Sequence, residues 1–380
     1  MRIRKAATAL TAIALAALLA GSAIADIKTF NAAVKAGDYK AAAAAADDTW
    51  RTWDKSDPDT ALLAREFGFA SLIAGRDDLA LQFGRFLVEE GGSLGKPDDQ
   101  PLTSAVLYRA ADYKVKGNEE KRAALRSALN ARMGAPGVDM TTVLSWELLY
   151  NADWESADWD VAVADATKAA EFYGRNKTLI ARQRKAELHA ASTEFVKARG
   201  RQTQSRNDLY GNVADVHDRI VNDIATATSK TAQGELWPVK WKAESWAIAI
   251  ESYVNSTYEQ VGSNFDTSLK PRPLLQPAFA QFPESSPLPV CEGEFTGKPI
   301  RYPETKKFRG VGSMIVRLET AADGKMTRVA ILGVIPDEDF ISNIVGTMET
   351  WTYKAAFGAD RSACGLESRN HLYKASFRIL

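Results

Sequence analysis

Gly91-Gly92-Ser93-Leu94-Gly95 spells the G-x-S-x-G pattern of a serine nucleophile. In a hydrolase that serine sits on a sharp turn between a strand and a helix. Here a helical pattern ending Val88-Glu89-Glu90 precedes it and Lys96-Pro97 follows, so the segment reads as a glycine helix end and a loop. Three histidines, His189, His217 and His371, complete the imidazole inventory. None lies at the paired spacing of a zinc-binding helix. Neither a Walker loop nor a dinucleotide fingerprint occurs, and Cys291 and Cys364 are too far apart for a redox C-x-x-C. The residues therefore predict no catalytic group, no metal and no cofactor, and a chain that is not an enzyme.

The start of the chain predicts export. Arg2, Arg4 and Lys5 precede an Ala/Leu/Ile run from Ala6 to Ala20, and Ala23-Ile24-Ala25 fits a small-x-small cleavage site. Residues 1–25 read as a signal peptide, with the mature chain opening at Asp26 in the periplasm of a Gram-negative cell. The rival reading is an uncleaved membrane anchor, for which the run is short and alanine-rich. In that oxidising compartment two cysteines imply one disulfide between Cys291 and Cys364, or else two buried thiols.

Residues 26–264 read as helices separated by similar breaks. These are Gly37-Asp38, Gly75-Arg76-Asp77, Gly117-Asn118 and, without its glycine, Ala157-Asp158. The breaks lie about 40 residues apart, the mark of stacked helical hairpins. Each glycine is expected to close a helix in the left-handed conformation, and the following Asp or Asn to start the next. Asp57-Pro58 is expected to open a further helix with proline in its first position. Leu62, Leu63, Phe67, Ala70 and Ile73 fall on one helical face, leaving Arg65 and Glu66 outward. The alanines of 41–46 would let two helices approach closely. The pattern loosely resembles tetratricopeptide-like repeats.

Trp237-Pro238 is expected to open a buried helix carrying Trp241, Trp246 and Tyr253. Eight of the nine tryptophans precede residue 250. They read as core packing, with a groove for a peptide or glycan as the alternative.

Charge is balanced overall but not locally. Residues 26–174 carry 17 Lys/Arg against 25 Asp/Glu, whereas 175–206 carry nine basic residues against two acids. Solvated helix faces account for both; a sharper reading docks the basic stretch on the chain's own acidic half or on an anionic partner. Six prolines between Pro271 and Pro289 make 265–290 an extended linker.

Residues 291–380 read as a small α+β domain. Met314, Val316 and Leu318 alternate with Ile315, Arg317 and Glu319, as in a strand with one buried face. Ala322-Asp323-Gly324-Lys325 is a hairpin turn, and 328–334 is the return strand. A helix starts near Pro336 and buries Phe340, Ile341, Ile344, Val345 and Met348. The final strand buries Tyr373, Ala375, Phe377 and Ile379 and exposes Leu372, Lys374, Ser376 and Arg378. The fold class expected for the whole chain is α+β.

Tyr302-Pro303-Glu304, Gly310-Val311-Gly312, Asp323-Gly324 and Trp351-Thr352-Tyr353-Lys354 follow one another in the order found in TonB C-terminal domains. Residues 299–380 resemble that family. The resemblance implies a three-stranded antiparallel sheet packed on two helices. It also implies that a peptide of an outer-membrane transporter pairs with the sheet's edge strand. Carried over, the partner-binding residues are His371, Leu372, Lys374, Ser376 and Arg378 on that edge, with Arg301, Tyr302 and Pro303 beside it. Pro299-Ile300 replaces the family's Gln-Pro, and the long charged spacer is absent. The implied function is a periplasmic, non-enzymatic protein-binding adaptor, linked to TonB-dependent transport. The alternatives are a membrane-anchored energy transducer and a structural envelope protein that meets peptidoglycan. Neither nucleic acid nor a small-molecule substrate is expected.

Overall fold

The computed structural model describes residues 22–198, 206–261, 272–284, 288–300, 311–335 and 342–378. The fold is α+β. The chain divides into two compact units, Met1–Ser156 and Ala157–Leu380. That division falls at the fourth break, inside the span 26–264 read above as one helical domain.

The first unit is helical: α1 (Ser22–Ala36), α2 (Tyr39–Thr52), α3 (Thr60–Ala74), α4 (Asp77–Glu90), α5 (Pro101–Lys116), α6 (Glu119–Met133) and α7 (Met140–Glu155). Helix α1 runs across the expected cleavage site at Ala25, and the apolar run before it lies outside the described residues. No described helix is long and apolar enough to cross a membrane.

The breaks turn where their sequence suggests, but only two of the four carry the expected side-chain cap: Arg76, not Asp77, precedes α4, and Asp158 makes no cap bond. Gly37, Gly75 and Gly117 take positive φ of 73°, 73° and 61°. After α1 and α3 the backbone closes in paired bonds, Gly37 N to Val34 O and Asp38 N to Ala33 O, then Gly75 N to Leu72 O and Arg76 N to Ser71 O. Asp38 and Asn118 accept from the backbone of Ala41 and Lys121 and so cap α2 and α6. Ala157 adopts φ 59°, the same left-handed turn without a glycine.

Two local expectations fail. Pro58 lies in a turn, and α3 starts at Thr60 because the Asp57 side chain bonds Asp59 N and delays the helix. Arg65 points inward, 5% exposed, paired with the Asp98 and Asp99 carboxylates of the loop after α4. Folding that acidic loop over α3 buries a side chain that the helical spacing alone leaves outside. Phe30, Trp50, Phe67 and Phe83 meet edge to face beneath it. Ala42, Ala43, Ala45 and Ala46 are all buried in α2.

The second unit begins with α8 (Trp159–Gly174), α9 (Ile180–Ala198), α10 (Arg206–Thr226) and α11 (Lys230–Val261). Helix α11 starts seven residues before Trp237 and runs through Pro238; Ser229 caps it by accepting from Ala232 N. Two sheets follow. One is a ribbon of β1 (Gly293–Thr296) and β4 (Thr352–Ala355). The other has β2 (Val311–Thr320) between β3 (Met326–Ile335) and β5 (Ser368–Arg378), all antiparallel, in the order β3-β2-β5. The β2–β3 turn is the expected one, with Gly324 at φ 80°. Helix α12 is Ser342–Met348; Pro336, Phe340 and Ile341 lie outside the described residues.

Strand β2 is buried on both faces. Met314, Val316 and Leu318 pack with Val334, Ile344, Met348 and Trp351. Ser313, Ile315 and Arg317, on the side expected to meet water, are buried too. The cause is α11, whose Trp237, Lys240, Trp241, Glu244, Ser245 and Trp246 are all buried. A helix apolar around most of its girth has to be covered on several sides, and the sheet supplies one of them. Ser313 Oγ donates to Ser245 O at 2.6 Å, and Lys242 Nζ to Val334 O at 2.6 Å. Gly333 permits the approach, since a Cβ there would stand 2.5 Å from Trp241 O.

The proline-rich segment differs from a free linker. Arg272 pairs with Asp215 and Asp218 of α10, and Tyr210 Oη donates to Arg272 O. Phe279 packs on Trp237, and Gln281 accepts from Trp241 Nε1 at 2.7 Å. The Arg317 guanidinium lies 3.8 Å over the Phe282 ring. It is a strap lying along the helices and the sheet, and its end is fixed by the Cys291–Cys364 disulfide.

Candidate functional site

Five of the expected partner-binding residues, His371, Leu372, Lys374, Ser376 and Arg378, lie on β5. The strand pairs with β2 from Val311↔Arg378 to Leu318↔His371, and among the described residues it has no other strand neighbour. Its outer backbone edge is therefore the place where another strand could add. The alternation is as read: Tyr373 and Ala375 pack against the core cluster, while Leu372, Lys374 and Ser376 are exposed. The backbone of Arg378 is in the strand; its side chain, with Phe377's and all of Ile379, lies outside the described residues. Arg301, Tyr302 and Pro303 lie outside them as well. Ile300, just before them, lines a groove of about 430 Å³ with Phe295, Gly297, Lys298, Pro299, Trp351 and Tyr373.

The β1–β4 ribbon builds that groove. Trp351 Nε1 donates to Lys298 O at 2.9 Å and meets the Tyr373 ring edge-on at 5.3 Å. Tyr353 Oη donates to Cys291 O at 2.7 Å, which ties the ribbon to the disulfide. The His371 ring rests 4.3 Å from Tyr353 and 5.1 Å from Phe295. Burial pushes its pKa down, and the Glu284 charge opposes that shift. The groove thus sets the rings of Phe295, Trp351 and Tyr373 among backbone polar groups beside β5, a mixed surface of the kind that receives an extended peptide.

Lys374, though exposed, also reaches the helical side. Its ammonium pairs with Glu244, which also holds Lys240. Glu244 and Lys240 are about 3% exposed at their side chains. Burial opposes the Glu244 charge, but Lys240 and Lys374 outweigh it and hold the carboxyl below the usual range. Burial likewise lowers Lys240, against the pull of Glu244. His217 lies in this neighbourhood, fully buried, with Nδ1 3.1 Å from Asp218 Oδ1. The ion cluster ties the edge strand to α11, while Asp218 ties α10 to the strap through Arg272; the cluster's only mark in the sequence is a polar residue every few positions in an apolar helix.

Elsewhere the chemistry-bearing patterns resolve locally. Helix α4 leads directly into Gly91, and Ser93 Oγ donates to Glu90 O at 2.8 Å, so the G-x-S-x-G match lacks the strand of a nucleophile elbow. Of the basic stretch, Arg184 pairs with Asp223 and Glu187, and Lys197 with Asp160. Trp50, Trp53, Trp146, Trp237, Trp241 and Trp246 are buried. Comparison of the chain with protein-family models, with curated proteins and with solved structures finds no match.

Proposed function

We propose that this chain is a periplasmic, non-enzymatic adaptor that captures an extended segment of a partner protein along β5. The single observation that carries the reading is the position of β5. It is the last strand of a three-stranded antiparallel sheet, at its edge, next to a groove floored by Trp351 and Tyr373. The motif order of residues 299–380 adds the partner class, a peptide of an outer-membrane transporter. Backbone pairing supplies about 1 kcal/mol net per bond and one buried apolar side chain about 2 kcal/mol; after the cost of association, five or six residues bind at about micromolar at best.

The test is a titration of the full chain with labelled peptides from transporter plugs, followed by anisotropy. Micromolar binding is expected, lost when alternate peptide nitrogens on one edge are methylated. Absence of binding across the panel, or equal affinity for the methylated peptides, would remove the reading.

A further inference from the structure

The start of β5 is already occupied. Glu284 Oε1 accepts from Ser368 Oγ at 2.7 Å, and Glu284 Oε2 accepts from Arg369 N at 2.9 Å. The Arg369 amide belongs to β5 and lies at the register shift, where it has no residue of β2 opposite it, so the carboxylate takes a strand donor that a partner's carbonyl could otherwise use. The carboxylate is placed there by the strap. Two residues earlier Phe282 lies under the Arg317 guanidinium, and Gln281 is bonded to Trp241. The strand is irregular at the same point: the β2–β5 register shifts between Leu318 and Thr320, opposite His371 and Ser368. Regular pairing runs from His371 to Arg378.

We propose that Glu284 is a built-in stop on the open edge of β5, so that a partner strand pairs only beyond Arg369 and the strap decides how much of the edge is usable. The inference rests on the edge reading above. A carboxylate holding two donors is a stronger local partner than a neutral peptide carbonyl. An incoming chain must displace it to reach Arg369, and gains only a weaker bond in return. The stop therefore fixes the length of the segment captured, and discriminates against partners whose contacts extend past His371.

The experiment uses the full chain, its Glu284→Ala and Glu284→Gln variants, and one bound plug peptide. That peptide is compared with versions lengthened by three residues at either end. The wild type is expected to bind all three with the same affinity. Glu284→Ala is expected to bind one lengthened peptide about tenfold more tightly, with the short peptide unchanged and Glu284→Gln in between. Hydrogen exchange at Arg369 N is expected to quicken in Glu284→Ala and to slow again when that lengthened peptide is bound. Equal affinities in wild type and Glu284→Ala, with the short peptide still bound, would overturn the stop and leave the edge reading standing. Tighter binding of a lengthened peptide by the wild type itself would overturn it too. Failure of every peptide with every form would overturn the edge reading and the stop together.

Discussion

The two units solve the problem of burying helices by different means. In the first, neighbouring helices in the chain pack on one another, and α1–α2, α3–α4 and α5–α6 are joined through left-handed turns at Gly37, Gly75 and Gly117. In the second, α11 is covered by β2 and β3, which lie some 70 or more residues further along the chain, and a proline-rich strap returns across both. Local turn chemistry dominates the first unit. Non-local ties dominate the second: a disulfide, a buried ion cluster and side-chain bonds to remote carbonyls. A repeat can therefore be read from its punctuation, whereas the partner of an apolar helix is not written next to it.

The contrast is sharpest for the disulfide. Replacing Cys291 and Cys364 with serine is expected to cost the second unit about 4 kcal/mol, from a closed loop with sequence separation 73. The first unit holds neither cysteine, so its transition in a denaturant titration should not move. Equal shifts in both would break the division. The buried cluster comes next: Glu244→Ala leaves Lys240 and Lys374 without their shared partner and is expected to cost about 3 kcal/mol. Replacing Lys240 and Glu244 together by Met and Leu should recover most of it. A double variant as unstable as Glu244→Ala would show that packing, not charge, sets the effect.

Smaller effects test the repeat. A Cβ at Gly37, Gly75 or Gly117 meets nothing within 4 Å, so an alanine there costs only backbone strain, about 1 kcal/mol each. Ala157 already bears that strain, and Ala157→Gly is expected to stabilise by roughly 0.5 kcal/mol. Chemical denaturation of the four variants checks both signs; a destabilised Ala157→Gly would remove Ala157 from the repeat. The smallest effect is on pH. Burial depresses the His217 pKa, against the pull of Asp218 and Glu244 and with the push of Lys240. The folded protein thus resists a proton that the unfolded chain takes up at about 6.5. The stabilisation is complete above that value and is lost as pH falls through it. His371 is depressed in the same direction, so His217→Gln should flatten part of the acid-side loss and leave the remainder. An unchanged pH profile would take His217 out of the balance.

Much of this was legible in advance. The fold class, the four breaks, the Asp323-Gly324 turn and the alternation of Tyr373 and Ala375 with Leu372 and Lys374 follow from signals within a few residues of their effects. Arg65 was misplaced because its inward turn depends on Asp98, thirty-three positions away. Likewise the second buried face of β2 depends on α11, and Glu284 gave no signal at all within its proline-rich surroundings.

By itself the sequence determined where helices end and strands turn, because glycine, asparagine and aspartate act through their own φ, ψ and side-chain bonds. It also marked β5 as a strand with two unlike faces, because side chains alternate along extended backbone. The tertiary structure alone decided which faces are closed, which charges are buried and, among the described residues, that β5 is the outer strand of its sheet. Those outcomes depend on which distant surfaces exclude water together, and no window of the sequence contains both surfaces.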